Sequence, residues 1–411
     1  MPIVTPIQTA MIRPRVKLEF LDGLRGLAAF YVLLHHLYDP FGIPRALTYP
    51  LSILRFGHYA VGAFIVLSGY CLMLPIVRST DGKISGGTFH FFKRRAMRIL
   101  PPYYAALILS LVWLFSTRKL TDHLGISAPD THWADNFTAG TIISHLLLVH
   151  NWSPVWNTLI DAPMWSVATE WQIYFLFPLL LLPVWRRFGN RCTILTGLIV
   201  GLGPLLLLPK AHNFSWACPQ YLALFTFGMA GSVIGFSQKP ELRKWQGRIP
   251  WGALSFLSIL IFACIVFYFA IILGKGMGPL GLPVSQPWAL DVLVGFSTIC
   301  LIIFCAKQSS GADTGEKALI LKVLSSRFAI GLGAFSYSLY LTQLPIIIVS
   351  KLVLRHFVPS PTVGLVLMFC VVFPGIITFS YLFHLVFERP FISQSARFRL
   401  DDELKPLNAQ N

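Results

Sequence analysis

The amino-acid sequence predicts an all-α polytopic membrane protein, a single bundle of about ten transmembrane helices with both termini in the cytoplasm. Three observations carry this expectation. Of 411 residues, 55% are hydrophobic and only 12% are charged, whereas soluble domains carry about 25% charged residues. Apolar runs long enough to cross a bilayer recur from one end of the chain to the other. The basic residues fall on alternate loops. With the N-terminus inside, 25 lie on the cytoplasmic side and 8 outside, accounting for all 33, as the positive-inside rule expects. The formal charge of +16 has the same origin and does not imply a nucleic-acid surface.

The spans are read at 22–38, 58–77, 96–116, 163–184, 192–208, 218–236, 251–273, 288–306, 329–350 and 363–387. Each is judged against the ~17–25 residues that a crossing helix needs. Segment 140–150 is apolar but too short to cross, so it reads as a partial or re-entrant helix. Trp185, Trp216, Trp251 and Trp288 fall near span ends, where interfacial anchors belong. The organisation is a cytoplasmic tail (1–20), a membrane domain (21–391) and a second cytoplasmic tail (392–411). No stretch is hydrophilic for long enough to form a separate soluble domain, and the first tail lacks the compact apolar region of a secretory signal.

The longest loop, about 117–162, is expected outside, where it would cover the outer mouth of a site. It carries Asp122, Asp130, Asp135 and Asp161. Three glycosylation tripeptides (Asn136-Phe-Thr138, Asn151-Trp-Ser153 and Asn213-Phe-Ser215) share that side and matter only in a eukaryote. The seven cysteines form no CxxC or Cys/His cluster, so they read as packing residues and no metal site is expected.

Ionisable groups inside apolar segments are costly, and each is therefore a functional candidate. In LDGLRGLAAFYVLLHH, Arg25 and His36 are eleven residues apart. At ~100° per residue they share one helix face, ~16 Å apart along the axis. His36 is the candidate base, since a neutral imidazole can take a hydroxyl proton near neutral pH. His35 points ~100° away and reads as a packing histidine. Asp22, three residues before Arg25, is placed to pair with it.

In FFKRRAMRILPPYY, Arg95 and Arg98 share a face at the cytoplasmic entry of the third span. Their planar forks suit phosphate or pyrophosphate, although topology alone also places cations there. Pro101 and Pro102 are expected to break or kink the helix just beyond. In MWSVATEWQIYFLFP, Glu170 stands among aromatic residues and should face a cavity or a cation. Tyr174 lies on nearly the same face. A purely structural ion pair is the competing reading for Glu170.

Ser68 in AFIVLSGYCL has no GxSxG-type elbow around it and reads as a packing residue. In FSYSLYLTQLP, Tyr337 and Gln343 either line a polar cavity or cross-link helices. Asp291 reads as interfacial.

Taken together, these segments resemble the membrane acyltransferase-3 family of integral-membrane O-acyltransferases, from Leu21 to about Phe391. LDGLRGLAAFYVLLHH is similar to its first-helix signature (Arg25, His36). FFKRRAMRILPPYY resembles its Arg-x-x-Arg element (Arg95, Arg98). MWSVATEWQIYFLFP resembles its Trp-Ser-x-x-x-Glu element (Trp165, Ser166, Glu170). AFIVLSGYCL, FSYSLYLTQLPI and FERPF match weaker elements. One departure is Gln343, where members often carry histidine.

The resemblance implies transfer of an acyl group, commonly acetyl, from acyl-CoA to a hydroxyl of a glycan, a lipid or a secondary metabolite. It implies His36 and Glu170 as catalytic residues, and Arg25, Arg95 and Arg98 as the donor-binding set. Trp165, Ser166, Tyr174, Tyr337 and Gln343 would line the substrate cavity. The implied partners are acyl-CoA, a hydroxyl-bearing acceptor and the bilayer of a plasma, inner or endomembrane. No fused hydrolase-like domain is expected after the bundle. From the residues alone two other readings stand beside this one. They are a transporter of a lipid-linked sugar or anionic metabolite, and a scaffold whose polar groups only lock helices.

Overall fold

Hydrocarbon offers backbone amides no water to bond, so a chain of this composition satisfies them within helices. The computed structural model describes residues 18–38, 51–79, 81–124, 137–207, 215–237, 240–268, 287–310 and 317–392, and among these every regular element is helical. In chain order these are α1 (Glu19–Leu37), α2 (Gly57–Arg78), α3 (Gly87–Leu124) and α4 (Ala139–Leu146). Next come α5 (Met164–Leu176), α6 (Leu182–Leu207), α7 (Tyr221–Phe236), α8 (Pro240–Arg248) and α9 (Trp251–Phe267). The last are α10 (Pro287–Ser309), α11 (Leu319–Leu324), α12 (Arg327–Ala334), α13 (Ser336–Phe357), α14 (Pro361–Leu367) and α15 (Phe373–Phe383). The tails beyond 18 and 392, and the tripeptide asparagines Asn136 and Asn213, lie outside the described residues.

Among the described residues, six helical stretches are long and apolar enough to cross a membrane: Ile53–Arg78, Gly87–His123, Met164–Leu207, Trp288–Ser309, Ser336–Phe357 and Pro361–Ile392. A seventh is the pair α7 and α8, bent by 101°. Shorter than these, α9 is an apolar helix of 17 residues. Met164–Leu207 would reach about 66 Å if straight, twice the hydrocarbon thickness. It is interrupted at Gly189, whose φ of 80° and ψ of −171° are not helical.

Two local expectations change. Pro101 and Pro102 do not break α3, which runs helical through both to Leu124. The segment 329–350 is not one helix. Phe335 (φ −122°, ψ 20°) separates α12 from α13, and Ser326 caps α12 through the Ala329 amide. The span therefore begins at Ser336.

Packing is closest where glycines face backbone. A Cβ on Gly69 would lie 2.0 Å from the Phe225 carbonyl oxygen, and one on Gly228 would lie 2.0 Å from that of Val66. This crossing joins α2 to α7 at the centre of the bundle, as small residues do between membrane helices. Tyr70, Phe225 and Met229 fill the core around it.

Outside the bundle, α4 opens on a capping box between Thr138 and Thr141. Tyr103 and Tyr104 of α3 hold it by donating to the carbonyls of His145 (2.9 Å) and Leu146 (2.8 Å). His145 and His150 stack at 3.9 Å. Burial lowers their pKa values to about 4 and about 3, and it raises the Asp161 carboxyl well above its usual range. Asn151 is fully buried, its amide donating to Thr169 (3.0 Å). That tripeptide therefore offers no glycosylation acceptor on the folded surface.

Gly228→Val is expected to destabilise the bundle by about 1–3 kcal/mol through overpacking, read as a lower thermal midpoint in detergent. The cap is expected to loosen in acid. A histidine with a depressed folded pKa stabilises above its unfolded value of about 6.5, and that stability is lost as pH falls towards the folded pKa. Protection of the amides across residues 139–152, relative to their intrinsic exchange rates, should fall below about pH 6, and less so in His150→Phe.

Candidate active site

The site begins on α1. Arg25 donates to Asp22 at 2.8 Å, as the three-residue spacing predicts, and its second amino group reaches the Cys71 sulfur at 3.0 Å. Further along, His35 packs on Gly57. Together these two contacts make α1 and α2 antiparallel. Arg25 and Cys71 lie at one depth, and His35 and Gly57 at another.

Between them is a cavity of about 480 Å³. Arg25, Arg95 and Arg98 form its inner part, and Glu170 reaches it from α5. The Arg95 guanidinium lies 5.8 Å from the centre of the Tyr174 ring, while its buried Nε has no hydrogen-bond partner in the protein. Such an orphaned donor is costly unless a ligand or water meets it. It fits an anionic ligand, as does the fork geometry of all three groups.

Glu170 is not paired with His36. Its Oε1 accepts from the Ser68 hydroxyl and from the Tyr174 hydroxyl at 2.5 Å, and these two hydroxyls are 3.1 Å apart. Two donors on one oxygen suit an ionised, acceptor-only carboxylate. Ser68, read from the sequence as packing, faces the cavity instead.

Of the other expected cavity residues, Ser166, Tyr174 and Tyr337 are on the wall. Ser166 meets the Tyr340 hydroxyl at 2.7 Å, and Tyr337 donates to the Ile99 carbonyl at 3.2 Å. Trp165 is off the wall, because the residue before Ser166 points ~100° around the helix. Its ring stacks on His58, 5.5 Å away. Gln343 is also off the wall, fully buried with both amide atoms lacking partners.

His36 lies outside the cavity wall too, towards the end of α1 remote from Arg25. Its buried Nδ1 has no partner, and its backbone carbonyl accepts from Lys351 at 3.0 Å. Nearby is a polar cluster with no counterpart in the sequence reading. Asp291 is not interfacial but 1% exposed; it accepts from Gln220 at 3.0 Å and lies 3.6 Å from His58. Glu388, from FERPF, was also missed as a site residue. It borders the cavity and accepts from Ser338 at 2.5 Å and from His384 at 2.9 Å. A lone glutamate in an apolar run was the available signal, the same one that marked Glu170. Among the described residues, no group of three His, Cys, Asp or Glu side chains is placed to hold a metal ion.

Several long apolar helices, with charged groups gathered around one cavity, mark an integral, multi-pass membrane protein. The chain belongs to the acyltransferase-3 family, whose acyltransferase domain matches residues 18–385, and so to the membrane acyltransferases. It is 26% identical over 353 residues to O-acetyltransferase OatA of Staphylococcus aureus, covering 82% of this chain and 52% of that protein. It is 24% identical over 196 residues to peptidoglycan O-acetyltransferase OatA of Listeria monocytogenes, covering 45% of this chain and 27% of the other. It is 31% identical over 187 residues to acyltransferase MdmB of Streptomyces mycarofaciens, covering 44% and 42%. The chain thus spans about half the length of the Staphylococcus relative. No solved structure matches it significantly.

Asp291→Ala should leave Gln220 without its buried acceptor and cost about 1–3 kcal/mol of stability. The check is thermal unfolding of purified protein, with donor binding unchanged.

Proposed function

We propose that the protein is an O-acyltransferase that moves an acyl group, acetyl in the simplest case, from acyl-CoA to a hydroxyl of a glycan, a lipid-linked sugar or a secondary metabolite. The observation that carries this reading is the convergence of Arg25, Arg95 and Arg98 on the cavity that Glu170 enters. Guanidinium groups bind phosphates through charge-assisted, often bidentate bonds. A carboxylate beside them can take a hydroxyl proton. The relatives named as O-acetyltransferases support hydroxyl as the acceptor group.

In this reading the arginines hold the phosphates of the donor at the cytoplasmic mouth. The thioester end extends outward to Glu170, with Ser166, Tyr174 and Tyr337 shaping its path. His36 takes the acceptor side and engages the hydroxyl to be acylated. Its unpartnered Nδ1 and its position ~16 Å outward of Arg25 support that division. We further propose ten crossings with both termini cytoplasmic, within a membrane domain of 21–391. The Gly189 interruption, which makes two crossings of Met164–Leu207, supports that count, together with α1, α7 and α9 as further crossings.

Mass spectrometry of glycans, lipids and metabolites from three strains tests this reading. The strains lack the gene, carry it, or carry His36→Ala at matched membrane abundance. An acyl-sized mass difference restored only by the wild type is the expected result. No difference in any fraction, with the protein present, would overturn it. In purified enzyme, Arg98→Ala is expected to raise the KM for acetyl-CoA about tenfold, the loss of one charge-assisted contact. An unchanged KM would remove Arg98 from donor binding.

A further inference from the structure

We propose that Ser68 is a covalent acyl carrier, taking the acyl group from the donor thioester before any acceptor is engaged. This deepens the acyl-CoA reading above and rests on it.

The first argument is contact. The Ser68 hydroxyl donates to the Glu170 carboxylate. A hydroxyl nucleophile is recognised by a base within hydrogen-bond reach that a third group orients. Tyr174 is that third group, donating to the same Oε1 at 2.5 Å. Its hydroxyl also lies 3.1 Å from Ser68 Oγ. Once Glu170 has taken the Ser68 proton, the single Tyr174 O–H is free to turn from it and steady the carbonyl oxygen as negative charge develops there.

The second argument is position. Ser68, Glu170 and Tyr174 all line the cavity that the three arginines enter. Ser68 is three residues outward of Cys71, and Cys71 is level with Arg25. The hydroxyl is therefore about one helical turn, ~4.5 Å, beyond the Arg25 guanidinium. A serine serving only to pack helices would turn to a neighbouring backbone, whereas this one is half-buried on the cavity wall.

The third argument is depth. Ser68 is ten residues from Arg78 at the inner end of α2, ~15 Å along the helix. That is half of the ~30 Å hydrocarbon thickness. Phosphates cannot follow to the midplane at tolerable cost, but an acyl group can. Parking it on Ser68 leaves a neutral ester at mid-bilayer, within reach of an acceptor from the other side.

The chemistry balances without a further reagent. Glu170 takes the Ser68 proton as Oγ bonds to the thioester carbonyl carbon. The carbon–sulfur bond breaks, its electron pair leaves with sulfur, and the thiolate takes the proton from Glu170 to depart as free CoA thiol. In the second step an acceptor hydroxyl attacks the Ser68 ester and gives its proton to Glu170. The ester bond to Oγ breaks, and Ser68 recovers that proton.

The test needs no acceptor. Purified full-length protein in lipid nanodiscs is incubated with acetyl-CoA and isotopically labelled CoA. A covalent carrier exchanges label between the two, and acid-quenched protein carries acetyl on the peptide containing Ser68. Ser68→Ala is expected to lose exchange by about 100-fold or more and to lose the acetyl mark, while still binding acetyl-CoA. Ser68→Cys is expected to keep the mark as a thioester that neutral hydroxylamine releases, which shows that the site tolerates substitution. Wild type that consumes acetyl-CoA with a membrane extract, yet shows neither exchange nor acetyl at Ser68, would overturn the carrier and leave the acyl-CoA reading standing. An acetyl mark on Tyr174 or His36 instead would also overturn it. Absence of both acetyl-CoA binding and CoA release in every condition would remove the acyl-CoA reading and the carrier with it.

Discussion

An ionised group cannot face hydrocarbon, and the architecture of this protein follows from that constraint. Arg25, Arg95, Arg98, Glu170 and Glu388 come from four separate segments, and all border one cavity. Three of them also have partners within the protein. Asp22 and Cys71 hold Arg25, Ser68 and Tyr174 hold Glu170, and Ser338 and His384 hold Glu388. The remaining helix faces can then be apolar, and many are exposed as such, among them Phe256, Ile199 and Val371. Losing one cavity charge would strand another, so the site and the bundle are coupled energetically.

The polar interior has two parts. One is the arginine-rich cavity, and the other gathers His58, Asp291, Gln220 and Tyr221. Between them Ser166 and Tyr340 join α5 to α13. A continuous wet channel would leak, and a fully dry one would strand the charges. The close crossing of α2 and α7 at Gly69 and Gly228 helps to fix the geometry, because backbone packed on backbone leaves little room for the helices to slide.

Much of the site was legible in the sequence because membrane burial makes charge conspicuous. Arg25, Arg95, Arg98 and Glu170 stand out against apolar neighbours, and their helical spacing puts them on interior faces. The Asp22–Arg25 pair was readable for the same reason, since three residues on a helix determine a distance. The wall residues Ser166, Tyr174 and Tyr337 followed from proximity to those charges. The reading erred where it depended on a neighbour from another helix. Ser68 reads as packing because a small hydroxyl residue beside a glycine looks the same whether it faces a helix or a cavity. Asp291 reads as interfacial because its position near a helix start says nothing of His58, 233 residues earlier in the numbering.

The sequence by itself determined the all-helical class, the family and which charged residues stand in apolar segments. These are properties of composition and of spacing within one helix. Tertiary structure decided which groups meet. It paired Glu170 with Ser68 and Tyr174, not with His36, and it set Trp165 against His58 and off the cavity wall. It also carried α3 through two prolines and broke the expected ninth span at Phe335. The physical reason is common to all of these. Period and hydropathy tell which face of a helix is interior, but only the packing of several helices decides what that face meets.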